Sequence, residues 1–234
     1  TYTSTGGNVL SLTLPYSAHR YAQIGNNLTR ATASKDGKRV YTYRCSVCGK
    51  QYTKTVAYYK ASNIKLSKTA YTYNGKVQKP SVTVKDSKGK TLKNGTDYTV
   101  TYPKGMKNVG KYTVKVTLKG NYSGTKSLSY NINPKGTSVS KLTAAKKGFK
   151  VTWKKQASQT SGYEVQYSTS SNFKKGNKTV NITKNKTTSK SVSKLSAKKK
   201  YYVRVRTYKT VKVNGKNVKL YSGWSKAKSV TTKK

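Results

Sequence analysis

Few side chains in this sequence can do chemistry beyond packing and charge: one histidine, two cysteines and four carboxylates. The thiols stand at Cys45 and Cys48, followed by Gly49. A Cys-x-x-Cys-Gly turn aims two thiolates at one point and is the usual half-site for tetrahedral zinc. Two further ligands are needed, and His19 is the single histidine that can supply one. A zinc held by His19, Cys45, Cys48 and one water would have the open position of a catalytic site, but no nearby Glu stands ready as a base. The plainer alternatives are a Cys45–Cys48 disulfide or a free thiol pair. A redox role calls for the helix N-terminus that lowers a thiol pKa, and no sequence signal provides one. No metal or other cofactor is expected, with His19, Cys45 and Cys48 as the metal candidates and Cys45 with Cys48 as the disulfide candidate.

The carboxylates Asp36, Asp86, Asp97 and Glu164 are scattered along the chain. Glycoside hydrolysis needs two carboxylates flanking one bond, and Glu164 has no second acid near it. His19 lies far along the chain from any nucleophile elbow, so serine chemistry has no base. The chain reads as non-enzymatic. Trp153 and Trp224 could stack on a sugar, but their places in the strand pattern argue for core and core-edge roles.

Charge is the dominant property. Fifty Lys and Arg face four Asp and Glu, a formal net charge of +46, and more than half of that excess falls in residues 134–234. All but six of the fifty are lysine. Lysine is a hydrated point charge, whereas arginine is the planar fork of base and phosphate recognition. The bias fits diffuse attraction to polyanions. Nucleic acid would bind through counterion release, steeply dependent on salt, yet no helical or aromatic-platform motif for readout is present. Two lysine groups are the expected polyanion contacts. One is Lys209, Lys212, Lys216 and Lys219 around a hairpin turn; the other is Lys194, Lys198, Lys199 and Lys200 before a long strand.

The elements that must carry these groups are strands. In YYVRVRTY, Tyr201, Val203 and Val205 fall on one face while Tyr202, Arg204 and Arg206 fall on the other. That period of two marks a strand with one buried side. Asn214-Gly215 between VKV and KNVKL is a strong signal for a tight hairpin. Leu195, six residues before Tyr201, suggests a tyrosine corner in which a phenol ties the strand to the preceding loop. Phe149, Val151 and Trp153 alternate with Lys150, Thr152 and Lys154, and Tyr163, Val165 and Tyr167 alternate with Glu164 and Gln166. The expected core of this part is Trp153, Tyr163, Leu195, Tyr201, Val203, Val205 and Trp224. Glu164 falls on the outward side of its strand.

Earlier in the chain, residues 61–133 read as about six short strands at hairpin spacing, with turn signals at Asn74-Gly75, Ser87-Lys-Gly89 and Asn94-Gly95. Asn133-Pro134-Lys-Gly136 marks a break. Residues 1–60 are the least regular. NVLSLTL (8–14) alternates enough for a strand, and 39–59 reads as a hairpin turning at Cys45–Gly49. No signal peptide is visible in the opening TYTSTGGN, which is compatible with a processed or excised fragment, so the absence of a leader proves little. No run of 18 apolar residues is present, so no helical membrane span is expected.

Three resemblances follow from these motifs. HRY, ATASKDG and YTYRCSVCGK together resemble a short bacterial surface repeat bearing a His, a Cys and a Cys-x-x-Cys-Gly turn; Ala33 stands where that pattern has its lone Cys. LSKTAYTYNGK, NGTDYTVTY and GNYSGT resemble the Ig-like repeats of secreted Firmicute surface proteins. Trp153, YEVQY, LSAKKKYYVRVR and SGWS…SVTT resemble a fibronectin type III domain, which implies that the Glu164 strand neighbours the Tyr201–Tyr208 strand and that Glu164 forms a surface pair with Arg204 or Arg206. The implied fold is all-β: tandem β-sandwiches, Ig-like over 61–133 and fibronectin type III over 134–234, preceded by a small irregular β unit over 1–60 with the Cys-x-x-Cys turn. The implied function is a secreted or cell-wall-associated bacterial adhesion module. Its expected partners are anionic wall polymers such as teichoic acid or acidic host glycans, with nucleic acid bound only non-specifically. The alternative is a secreted factor that binds a host receptor, integrin-like or hormone-type as for irisin, although no Arg-Gly-Asp occurs in the chain.

Overall fold

A computed structural model describes residues 18–234, together with the backbone pairing of β1 (Tyr2–Thr3) with β2 (Val9–Leu10). The rest of the strand expected over residues 8–14 lies outside the described residues. Every regular element described is a strand. The chain divides into two compact units. The first comprises Thr1–Asn63, Val84–Thr99 and Thr117–Gly124; the second comprises Ile64–Thr83, Val100–Val116 and Thr125–Lys234.

In the first unit, β3 (Tyr21–Thr29), β4 (Gly37–Cys45) and β5 (Gln51–Tyr58) form an antiparallel meander. The β4–β5 hairpin turns where the sequence places it. Strand β3 has no counterpart in the sequence reading, because YAQIGNNLT is exposed along nearly all its length and carries no alternation. Tyrosine pairing across the strands takes the place of a core. Tyr43 lies opposite Tyr52, their rings stacked at 4.9 Å, and Tyr21 meets Tyr52 edge-on at 4.8 Å. Each such cross-strand pair contributes roughly 0.2–1 kcal/mol. The buried anchor is Ala31, whose N–H donates to the Asn121 carbonyl while its own carbonyl accepts from Ser123 N–H.

Six strands follow: β6 (Asn63–Leu66), β7 (Ala70–Thr72), β8 (Val82–Lys85), β9 (Tyr98–Thr101), β10 (Gly110–Leu118) and β11 (Thr125–Asn133). β6 pairs β8, and the second sheet runs β7-β11-β10-β9. Val114, Tyr130 and Ile132 are its fully buried centre. Tyr130 donates its hydroxyl to the Gln78 carbonyl at 2.9 Å, and burial pushes its phenol up to about 12. A phenol whose folded pKa exceeds its unfolded value of about 10 stabilises the fold below that value and loses the contribution as pH rises through the folded one. Burial also raises Tyr112, Tyr167 and Tyr208. The urea midpoint is therefore expected to fall between about pH 10 and pH 12. Tyr130→Phe should flatten that fall while costing the Gln78 hydrogen bond, about 1 kcal/mol.

The third group of strands has the clearest sandwich. β12 (Val139–Ala145), β13 (Gly148–Trp153) and β16 (Ser189–Val192) form one sheet. β15 (Lys178–Ile182), β14 (Gly162–Ser168), β17 (Lys200–Val213) and β18 (Lys216–Tyr221) form the other, with β19 (Lys228–Thr231) pairing the start of β17. Phe149, Val151, Trp153, Tyr163, Val165, Val203 and Val205 fill the space between the sheets. Asn214 and Gly215 both have positive φ, 50° and 77°, as a two-residue type I′ hairpin requires. The tyrosine corner takes shape as a contact from Ser196 N–H to the Tyr201 hydroxyl at 3.4 Å. The architecture is all-β, a tandem β-sandwich.

Candidate functional sites

The turn between β4 and β5 draws the reactive residues together. Gly49 N–H donates to the Cys45 carbonyl at 3.0 Å, and Gly49 takes φ +73°, which a Cβ would oppose. The tightened turn points the N–H groups of Val47 and Cys48 at Cys45 Sγ, at 3.4 and 3.5 Å. His19 Nδ1 then lies 3.5 Å from Cys45 Sγ and 3.2 Å from Cys48 Sγ. The three donor atoms fall within 4.8 Å of one another. Both cysteines are free thiols, Cys45 buried and Cys48 exposed. The Cys48 N–H is the main force pulling the Cys45 thiol down to about 6; burial opposes it, and His19 and the Val47 N–H assist. The amides of the turn thus do what a helix N-terminus does elsewhere.

The four carboxylates are all structural. Asp36 accepts from Lys60 N–H at 2.7 Å, Asp86 from Lys88 and Lys90 N–H, and Asp97 from Lys93 N–H. Glu164 takes both Nε and Nη2 of Arg206, at 2.9 and 2.7 Å. The register sets Glu164 opposite Arg206 and Gln166 opposite Arg204. This pair is not the exposed one the alternation suggests, because Glu164 is only 8% exposed.

The surroundings of Arg206, the partner of Glu164, also correct the expectation for Trp224. That side chain is half-buried on the outer face of the sheet and lies outside the core cluster. Arg206 lies over the rings of Tyr221 and Trp224, at 3.8 and 4.3 Å. Arg204 lies over Trp224 and Phe173, at 4.7 and 4.0 Å. Arginines at alternate positions of β17 thus interleave with three aromatic rings, each contact worth roughly 0.5–2 kcal/mol. Burial, and then the neighbouring Arg206 charge, hold the Arg204 guanidinium below its ordinary value. Strand alternation shows the arginines but not their cover, since Phe173 and Trp224 come from loops. Two guanidinium groups already lie against Trp224, which leaves its ring poorly placed to stack on a sugar. The other expected core residues, Trp153, Tyr163, Leu195, Tyr201, Val203 and Val205, are all buried.

The lysine groups lie where solvent reaches them. Lys194, Lys198, Lys199 and Lys200 are exposed, as are Lys212 and Lys216, while Lys209 and Lys219 are half-buried. Lys219 Nζ sits 4.4 Å from the Tyr208 ring centre. A residue the sequence reading misses joins the hairpin: Lys111 of β10 shares a polar depression of about 320 Å³ with Lys212, Asn214, Thr113 and Ser129. Nearly a hundred residues separate Lys111 from the hairpin, so only the fold brings them together. A second depression, about 620 Å³, is lined by Tyr73, Asn74, Lys135, Gln156 and Ser158 among others, with no acid or histidine.

Comparison with known proteins bears on the last of these groups of strands. No curated protein matches the chain. Among solved structures it is similar to the FN1-FN3 domains of chicken CNTN1, at 13% identity over 85% of this chain and 78% of that one, with a TM-score of 0.36. It is also similar to domains A168-A170 from titin, at 16% identity over 83% and 75% of the two chains, with a TM-score of 0.31. Residues 132–220 match the family model of the fibronectin type III domain, a module of the binding and adhesion type.

Proposed function

We propose that this protein is a non-enzymatic, secreted or wall-associated bacterial module that attaches to anionic polymers such as teichoic acid or acidic glycans. In this reading residues 1–60 are a small Cys-bearing unit, 61–133 an Ig-like spacer and 134–234 the fibronectin type III domain that carries most of the charge. One observation supports it above others. All four acids are engaged by backbone amides or by Arg206, three of them in loops or turns, so the lysines face water almost without compensation. A surface of that kind attracts polyanions through charge, without shaped readout.

The test is retention on heparin and on purified wall polymer across a salt series. The logarithm of affinity should fall linearly with the logarithm of salt, with a slope near 0.9 for each charge contact on duplex DNA and about 0.7 on a single strand. Replacing Lys209, Lys212, Lys216 and Lys219 together by Ala should lower that slope by roughly 2.8–3.6, with Lys111→Ala removing about 0.7–0.9 more. Binding indifferent to salt would defeat the reading, and a saturable, salt-insensitive affinity for a single protein would favour the host-receptor alternative.

A further inference from the structure

We propose that His19, Cys45 and Cys48 bind one zinc ion through three protein ligands and leave its fourth position to a small exchangeable ligand. The inference is independent of polyanion binding and rests on the geometry of the β4–β5 turn.

The distances fit the metal. With Zn–S of about 2.3 Å and Zn–N of about 2.0–2.1 Å at tetrahedral angles, sulfur and nitrogen stand roughly 3.6 Å apart. The two observed sulfur–nitrogen separations are 3.5 and 3.2 Å, within tenths of an ångström of that value, and all three donors lie within 4.8 Å of one another. The donor types select the ion. Two thiolates and an imidazole suit zinc and disfavour magnesium and calcium, which take oxygen ligands. Charge balance points the same way, because two thiolates neutralise a dication within a chain of +46. The Val47 and Cys48 amides aimed at Cys45 Sγ hold the turn in its binding conformation before the ion arrives.

The chain offers nothing to close the fourth position. It has no other histidine or cysteine, and each carboxylate is engaged elsewhere. Beside Cys45 lies instead a depression of about 400 Å³, lined by Ala22, Ile24, Arg44, Ser46 and Gly49. It has room for water or a small anion, and Arg44 favours the anion.

The full chain, purified with its thiols reduced, is loaded with Zn²⁺ and separately with Co²⁺, then desalted. The expected result is about one metal per chain and the intense visible bands of four-coordinate cobalt bound by thiolate. Those bands should shift when azide or a small thiol is added, since an open position accepts it. Cys48→Ser and His19→Ala, both at exposed side chains, should each weaken zinc binding at least about 100-fold while leaving the metal-free unfolding midpoint unchanged. Metal content well below one per chain with the thiols verified free overturns the site, as does undiminished binding in Cys48→Ser. Cobalt bands that ignore added ligand overturn the open position.

Discussion

Trp153→Ala is expected to destabilise the fibronectin type III sandwich by about 3–5 kcal/mol, the range for deleting a buried Trp or Phe. Trp153 is 2% exposed, packs against Tyr163 with ring centres 5.4 Å apart, and sits among Val151, Val165 and Val205. Facing sheets cannot close over so large a void without losing strand pairing elsewhere. For a domain of about 100 residues the loss corresponds to a drop in Tm of roughly 15–30 °C, read by calorimetry or near-UV circular dichroism. Trp153→Phe separates volume from polarity. The indole Nε1 is buried without a hydrogen-bond partner, so phenylalanine removes an unmet donor along with part of the volume. Its cost should stay below about 1.5 kcal/mol. Equal losses for the two variants would mean that the void does not set the energy.

Gly162→Ala should be nearly as damaging for a different reason. Gly162 opens β14, and a Cβ there would come within 2.0 Å of the Ile182 carbonyl oxygen and 2.8 Å of the Tyr208 hydroxyl. The hydroxyl can move; the carbonyl belongs to β15, which is paired to β14 from Tyr163 onward. Relief requires the two strands to part at that end. A loss of about 3 kcal/mol, the upper end for overpacking, is expected in urea denaturation. The Tyr163 hydroxyl, which accepts from Gln156 N–H and donates to the Asn185 carbonyl, would be disturbed with it. A variant as stable as the parent would show that the strands have slack at Gly162.

Where the chain obeys a simple period, the sequence discloses its fold. Tyr201, Val203 and Val205 alternate because one face of β17 is sealed, and Asn214-Gly215 turns because both residues accept positive φ. Strand β3 could not be read this way. Its sheet is held by tyrosine pairs on open faces, and neither face imposes an apolar row. The sites divide similarly. The Cys-x-x-Cys-Gly turn is local and can be read directly, whereas the approach of His19 depends on β3 lying beside β4, an alignment no short window encodes. Trp224 misleads for a related reason: a large aromatic near a strand looks like core, and only the paired arginines of β17 show that the ring covers the outside. Lys111 is beyond reach of any linear reading.

The engagement of every acid within the chain gives dissolved electrolyte two opposing effects. Crowded ammonium groups push against one another most strongly in the folded state, so counterions that screen them should raise the melting temperature. The same counterions loosen the grip on a polyanion. On the function proposed above, the molecule should therefore be hardiest in brine, where polyanion binding is lost, and in dilute medium should regain that hardiness on binding a polyanion.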